Sequence, residues 1–166
     1  IIDHMRMFGR ETKEQRKKID AQKTVTNALD LIGEQLRLTG VSVVVEFAED
    51  CAFIFGQEIH IEQVILSLIS NAQDAMADRS GEAKITLRVF EDDDGVHIIV
   101  EDTGGGIPEG DLHRIFEPFY TTKTIAKGTG LGLSVCYGIV SDMEGTIVAS
   151  NTLNGAKFTI TLPSFS

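Results

Sequence analysis

The sequence has no tryptophan, only two cysteines and three prolines, and no apolar run long enough to span a bilayer. Neither Cys51 nor Cys136 has a nearby Cys or His at zinc-ligand spacing, which excludes a disulfide framework or a metal knuckle as the basis of the fold. Positive charge is scarce as well. Fifteen Lys and Arg against 25 Asp and Glu leave a formal charge of −10, which argues against nucleic acid as a general partner, since such a protein would carry a basic stripe. No signal peptide opens the chain, so the domain is expected to be cytoplasmic. What is present is ordinary for a soluble globular domain: 42% hydrophobic and 24% charged residues over 166 positions, enough to bury one core. An anionic ligand would need local help from a cation, a metal ion or a helix terminus.

Along the chain, Ile1, Ile2, Met5 and Phe8 stand at helical spacing before a charged run that ends at Lys18, which reads as the tail of a helix whose partner is absent. Val25, Leu29, Ile32 and Leu36 form the apolar stripe of an amphipathic helix that Gly40 ends. Strands are predicted at 41–47 and 52–55. A regular helix follows from Gln57 to about Arg79, with Ile61, Val64, Ile65, Leu68, Ala72 and Met76 on one face. Strands at 83–91 and 96–101 flank the turn Asp92-Asp93-Asp94-Gly95. From Thr103 to Gly130 periodicity fails, over a length that marks a functional loop. A helix from about Leu131 to Glu144 stops at Gly145, and two strands close the chain around Asn154-Gly155. This order predicts an α+β two-layer sandwich, a mixed and mainly antiparallel sheet packed against helices.

Four segments carry residues suited to ligand chemistry. Asn71 lies at the edge of the apolar arc of its helix, where an amide oxygen can serve Mg²⁺. Asp102 ends a strand and precedes Gly104, Gly105, Gly106, Ile107 and Pro108. A carboxylate there accepts a hydrogen bond from an exocyclic amine such as that of adenine, which favours ATP over GTP, and the glycines let a flat ring approach the backbone. Ile115 to Lys123 pairs an aromatic cluster, including Phe116 and Phe119, with Thr121, Thr122 and Lys123; the aromatics can pin a loop while the lysine meets a phosphate as a point charge. Gly128, Thr129, Gly130, Leu131, Gly132 and Leu133 open a helix whose unpaired N–H groups bind phosphate. Taken singly, each also has a plain explanation: a solvated Asn, a β-turn, core aromatics, a flexible loop.

In this order the four segments resemble the asparagine, first glycine, phenylalanine and second glycine boxes of histidine protein kinases, over residues from about 22 to 163. The stretches Asn71-Ala72-Gln73-Asp74-Ala75-Met76 and Phe116 to Lys123 are most similar to the nitrogen-regulation type. The resemblance implies the Bergerat ATP-binding fold and binding of ATP or ADP with Mg²⁺. It implies Asn71 on the metal, Asp102 on the adenine amine, and Gly104 and Gly106 shaping the pocket. Gly128, Gly130 and Gly132 would meet the phosphates, and residues from about Pro108 to Gly130 would form an ATP lid. Asp74, Ile107, Phe116, Thr121, Thr122, Lys123, Lys127, Thr129, Leu131 and Leu133 complete the nucleotide set.

Departures from the family pattern define the expectation further. Ser67 stands where hydrolytic relatives carry a Glu base, Glu62 lies on the other side of the helix, Ala156 replaces a Thr that assists adenine binding in some relatives, and Asp74 replaces a frequent Lys. The phosphoacceptor, a His followed by an acidic residue near the start of a helical hairpin, has no match here; His4 resembles the end of the second hairpin helix. His60, His97 and His113 are expected at exposed or edge positions. The expectation is therefore a catalytic domain at 21–166, preceded at 1–20 by the end of the phosphoacceptor hairpin and a linker, with no certain catalytic side chain of its own. The resemblance implies transfer of the ATP γ-phosphoryl to the hairpin histidine of a homodimeric kinase, for relay to a response regulator receiver domain. A hydrolytic ATPase of the same superfamily, an anti-sigma-type serine kinase and a non-catalytic nucleotide-sensing module are the alternatives.

Overall fold

The computed structural model describes residues 15–77, 81–118, 120 and 132–165. Five strands form one sheet in the order β2-β4-β5-β7-β6, with β2 at Ser42–Phe47, β4 at Lys84–Asp92, β5 at Gly95–Asp102, β6 at Thr146–Asn151 and β7 at Ala156–Leu162. Among the described residues the β2–β4 pair is parallel, and the β4–β5, β5–β7 and β6–β7 pairs are antiparallel. Helices α1 (Ala21–Leu38), α2 (Glu58–Met76) and α3 (Gly132–Asp142) complete the sandwich, the α+β two-layer architecture expected.

The strands differ in burial because they differ in position. Val96 to Val100 in β5 are buried without interruption, as befits the middle strand of the sheet, flanked by β4 and β7. Ile54, Ile61, Ile65, Leu68, Leu87, Ile98, Phe158 and Ile160 are among the side chains that fill the space between sheet and helices. All six residues predicted for the buried face of α2 are buried, and Ile69 joins them. The second strand expected near 52–55 is β3 (Phe53–Gly56), but it leaves the main sheet and pairs antiparallel with β1 (Lys17–Asp20). Lys17 and Lys18, read from sequence as the end of a helical tail, thus belong to a strand, held by Ile19 in the core and by the Lys18 ammonium 4.2 Å from the Phe53 ring centre. Residues 1–14, the remainder of that tail, lie outside the described residues.

The helix ends show which residues set them. Asp20 caps α1, its Oδ1 accepting from the N–H groups of Gln22 (3.0 Å) and Lys23 (3.3 Å), a feature worth about 1 kcal/mol. Gly40, at φ +79°, makes the left-handed exit of α1 as expected. α3 ends at Asp142, two residues before the end expected, and Glu144 adopts the left-handed conformation at φ +61°. The Glu144 and Gly145 N–H groups then bond back to Ser141 and Val140, the double closure of a Schellman ending. Gly145 has a different task, because a Cβ there would stand 2.5 Å from the Thr161 carbonyl oxygen and 2.6 Å from Leu162 Cδ2. It lets the chain pass close to β7.

His97 is not at an exposed or edge position. In β5 it is buried, with Nε2 2.7 Å from Asp92 Oδ1, Nδ1 3.0 Å from Thr161 Oγ1 and its ring stacked on Phe90 at 4.8 Å. A polar side chain can occupy a central strand when both ring nitrogens find partners. His60 is half-buried and His113 exposed.

Candidate functional site

The site begins with the alternation of β5. Ile98, Val100 and Asp102 share one face of the strand and His97, Ile99 and Glu101 the other. Asp102 thus faces the helices at the end of an apolar row, and it is only 3% exposed. A buried carboxylate requires hydrogen bonds. Its Oδ1 accepts from the Gly104 N–H at 2.8 Å and the Ala156 N–H at 3.3 Å. Glu101, on the opposite face, is neutralised by Arg88 at 2.6 Å, and the same guanidinium holds Glu46 at 2.7 Å; these two carboxylates push the Arg88 pKa up. Thr103 locks the strand end: its hydroxyl donates to the Glu82 carbonyl at 2.7 Å and accepts from the Lys84 N–H at 3.1 Å.

Glycines surround Asp102 where other residues would not fit. A Cβ on Gly104 would lie 2.7 Å from Ala75 Cβ and 3.0 Å from the Ala75 backbone carbon and oxygen, so the first glycine segment rests directly on α2, one turn beyond Asn71. Gly105 (φ +93°) and Gly106 (φ +87°) have left-handed backbones, the conformation that favours glycine. Gly155 closes the other side, where a Cβ would fall 2.8 Å from Asp102 Oδ1 and collide with the Asp102 backbone. Gly155 and Asn151 are the wall residues that the sequence reading missed. Gly155 was legible only as part of a turn, and Asn151 had no local signal: it meets Ile107 across 44 positions of sequence.

Asp102, Gly104, Gly106 and Ile107 lie at the end of β5 and in the segment after it, and Asn71 lies on α2 one turn before Ala75, which Gly104 approaches. Asn71 is half-buried and Asp74 exposed. Phe116 packs edge-on against Phe158, with centroids 6.3 Å apart, and tilts on Tyr137 at 5.9 Å. These contacts hold Phe116 against the body of the domain. Within the segment 108–130 expected as a lid, the described residues form a 3₁₀ turn at Glu109–Asp111 and a chain of turn hydrogen bonds that runs on to Glu117, with Ile115 buried beneath. Tyr120 is held beside them, its hydroxyl pKa raised by burial and by a hydrogen bond to Asp111. Gly132 and Leu133 begin α3. Phe119, Thr121, Thr122, Lys123, Lys127, Gly128, Thr129, Gly130 and Leu131 lie outside the described residues.

Chemically, the described part of the site offers a shielded carboxylate acceptor, a glycine-lined slot beside it and an amide on the adjoining helix. Residues 56–165 match the family described as histidine kinase-, DNA gyrase B- and HSP90-like ATPase. The chain belongs to this family of ATPases. Among relatives of this ATPase domain, the two-component sensor PprA of Pseudomonas aeruginosa is 37% identical over 167 residues, covering 98% of this chain and 18% of that protein. Sporulation kinase A of Bacillus subtilis is 38% identical over 152 residues, covering 87% of this chain and 24% of that protein. The chain thus spans about a fifth of the length of these curated relatives. The solved catalytic domain of the histidine kinase ThkA, nucleotide free, superposes with a TM-score of 0.81 at 28% identity, covering 90% of this chain and 98% of that one. ThkA has also been solved in complex with the response regulator protein TrrA; that match has a TM-score of 0.78 at 25% identity, over 97% of this chain and 46% of that one. These relatives serve varied sensory systems, so the narrower likeness to the nitrogen-regulation type is left without support.

Proposed function

We propose that this ATPase domain is the catalytic part of a two-component sensor histidine kinase. It binds ATP with adenine on Asp102 and presents the γ-phosphoryl to a histidine on a helical hairpin of the same homodimeric kinase. The observation that carries the reading is Asp102 itself. One carboxylate oxygen is engaged by backbone N–H groups, and the residue stands at a strand end framed by Gly104, Gly106 and Gly155, an arrangement suited to reading an exocyclic amine.

The metal fits as a phosphate-held ion. Among the described residues no group of three or more His, Cys, Asp or Glu could cage a cation, and Mg²⁺ in nucleotide sites takes few protein ligands and keeps its waters. Asn71 would supply a neutral oxygen to it. The bound ion would offset phosphate charge that a chain of net charge −10 repels. Residues Thr121 to Lys127 and the glycines from 128 to 132 would meet the phosphates, with Asp74 and Leu133 at the margins.

In the transfer, the bond between the γ-phosphorus and the bridging oxygen breaks, a P–N bond forms to the hairpin histidine, ADP departs and the imidazole proton passes to a base on the hairpin. This chain's share is positioning. Hydrolysis is disfavoured because Ser67 occupies the position of the water-activating Glu and its hydroxyl instead meets the Cys136 thiol. Residues preceding β1 would continue into the hairpin, the domain would work in the cytoplasm where ATP is supplied, and a response regulator receiver domain would take the phosphoryl group, as the ThkA complex encourages. Nucleic acid has no place in this scheme.

Incubating the intact kinase with γ-labelled ATP tests the proposal. Acid-labile, base-stable label on the protein is the expected result. Steady release of inorganic phosphate with no labelled protein would overturn it.

A further inference from the structure

The Asn151 carboxamide, at the last residue of β6, faces the Ile107 peptide groups and engages both of them. Oδ1 accepts from the Ile107 N–H at 2.7 Å and Nδ2 donates to the Ile107 carbonyl at 2.7 Å. A carboxamide carries one acceptor and a donor side by side, so it can serve a residue's N–H and C=O together as a neighbouring strand would. Space for it comes from Gly106, where a Cβ would stand 2.8 Å from Asn151 Oδ1 and 3.2 Å from Asn151 Cγ. A third bond runs alongside, from the Gly105 N–H to the Asn154 carbonyl at 3.1 Å. The segment from Asn151 to Gly155 is itself braced, since the Thr152 N–H donates to the Gly155 carbonyl at 2.8 Å and the Gly155 N–H donates to Thr152 Oγ1 at 3.0 Å.

We infer that Asn151 is a positioning residue for nucleotide: it clamps the glycine segment that follows Asp102 onto the β6–β7 turn. The clamp sits between two parts that must stay in register. On one side, Gly155 and Ala156 contact Asp102; on the other, Ile107 leads through Pro108 into the turns that carry Ile115 and Phe116. Gly105 and Gly106 have open conformational choices when unrestrained, and three hydrogen bonds from one hairpin remove most of them. An ordered slot costs a ligand less to enter than one it must organise. The inference rests on the ATP reading of the Asp102 pocket, but the clamp itself can be observed without nucleotide.

The variants are Asn151→Ala, which removes both partners, and Asn151→Asp, which keeps the shape and the acceptor but sets an anion against the Ile107 carbonyl. In the isolated domain without nucleotide, amide exchange of Ile107 is the first readout; in the intact kinase, KM for ATP and kcat are the second. Expected are faster exchange at Ile107 in Asn151→Ala and, in both variants, a KM raised about tenfold with kcat at saturating ATP unchanged. Unaltered exchange at Ile107 in Asn151→Ala, or faster exchange with unaltered KM, overturns the inference. A loss of kcat at constant KM also overturns it, because that is the mark of a damaged fold or of a direct role in transfer. Wild-type kinase that does not use ATP at all would instead sink the underlying reading.

Discussion

Gly155 stands against Asp102 so closely that a single methyl group on it would fall 2.8 Å from the carboxylate Oδ1 and 2.7 Å from the carbonyl carbon. The contact ties the β6–β7 turn to the end of β5 and shields one side of the carboxylate. Gly155→Ala should therefore push the turn away from Asp102. Overpacking of this kind costs about 1–3 kcal/mol. A thermal melt should show that loss, and ADP titration a weaker complex. Wild-type values in both would mean that the turn moves freely and that Gly155 is no wall of the pocket.

The two cysteines should behave differently. Cys51 is exposed and Cys136 buried, and burial pushes the Cys136 thiol up to about 11. A thiol raised in the folded state stays protonated where the unfolded chain ionises. Its contribution to stability is fully present below about pH 9 and is lost as pH rises from there through about 11. Raised by burial, Cys136 stays a thiol at pH 8, so an alkylating reagent should label Cys51 in the native domain and reach Cys136 only on unfolding. Equal labelling of both would place Cys136 outside the core.

Much of the fold was readable because its signals are local. The α2 face from Ile61 to Met76, the Gly40 exit of α1 and the Asp92 to Gly95 hairpin each follow from residues a few positions apart. What escaped depends on partners far away in sequence. Lys17–Asp20 becomes a strand through pairing with Phe53–Gly56, which no property of a Lys-rich tail announces. His97 reads as polar and exposed until Asp92, Phe90 and Thr161 are placed around it. Asp102 and the glycines after it stood out in the sequence as a candidate ligand segment, with a β-turn as the equal alternative, and the structure shows the carboxylate buried at the strand end beside Gly104. Asn151 and Gly155 did not stand out, since their partners Ile107 and Asp102 lie more than forty positions away. Gly145 was legible as a helix stop, but not its close approach to Thr161 and Leu162, which are distant in sequence.

Whether Asp102 reads the adenine of ATP is decided by calorimetric titration of the domain with ADP. Asp102→Ala removes a charged acceptor worth about 1.5–3 kcal/mol, so wild-type domain should bind ADP and the variant, still folded, should bind it about ten- to a hundredfold more weakly. Equal affinity of variant and wild type would contradict this role of Asp102.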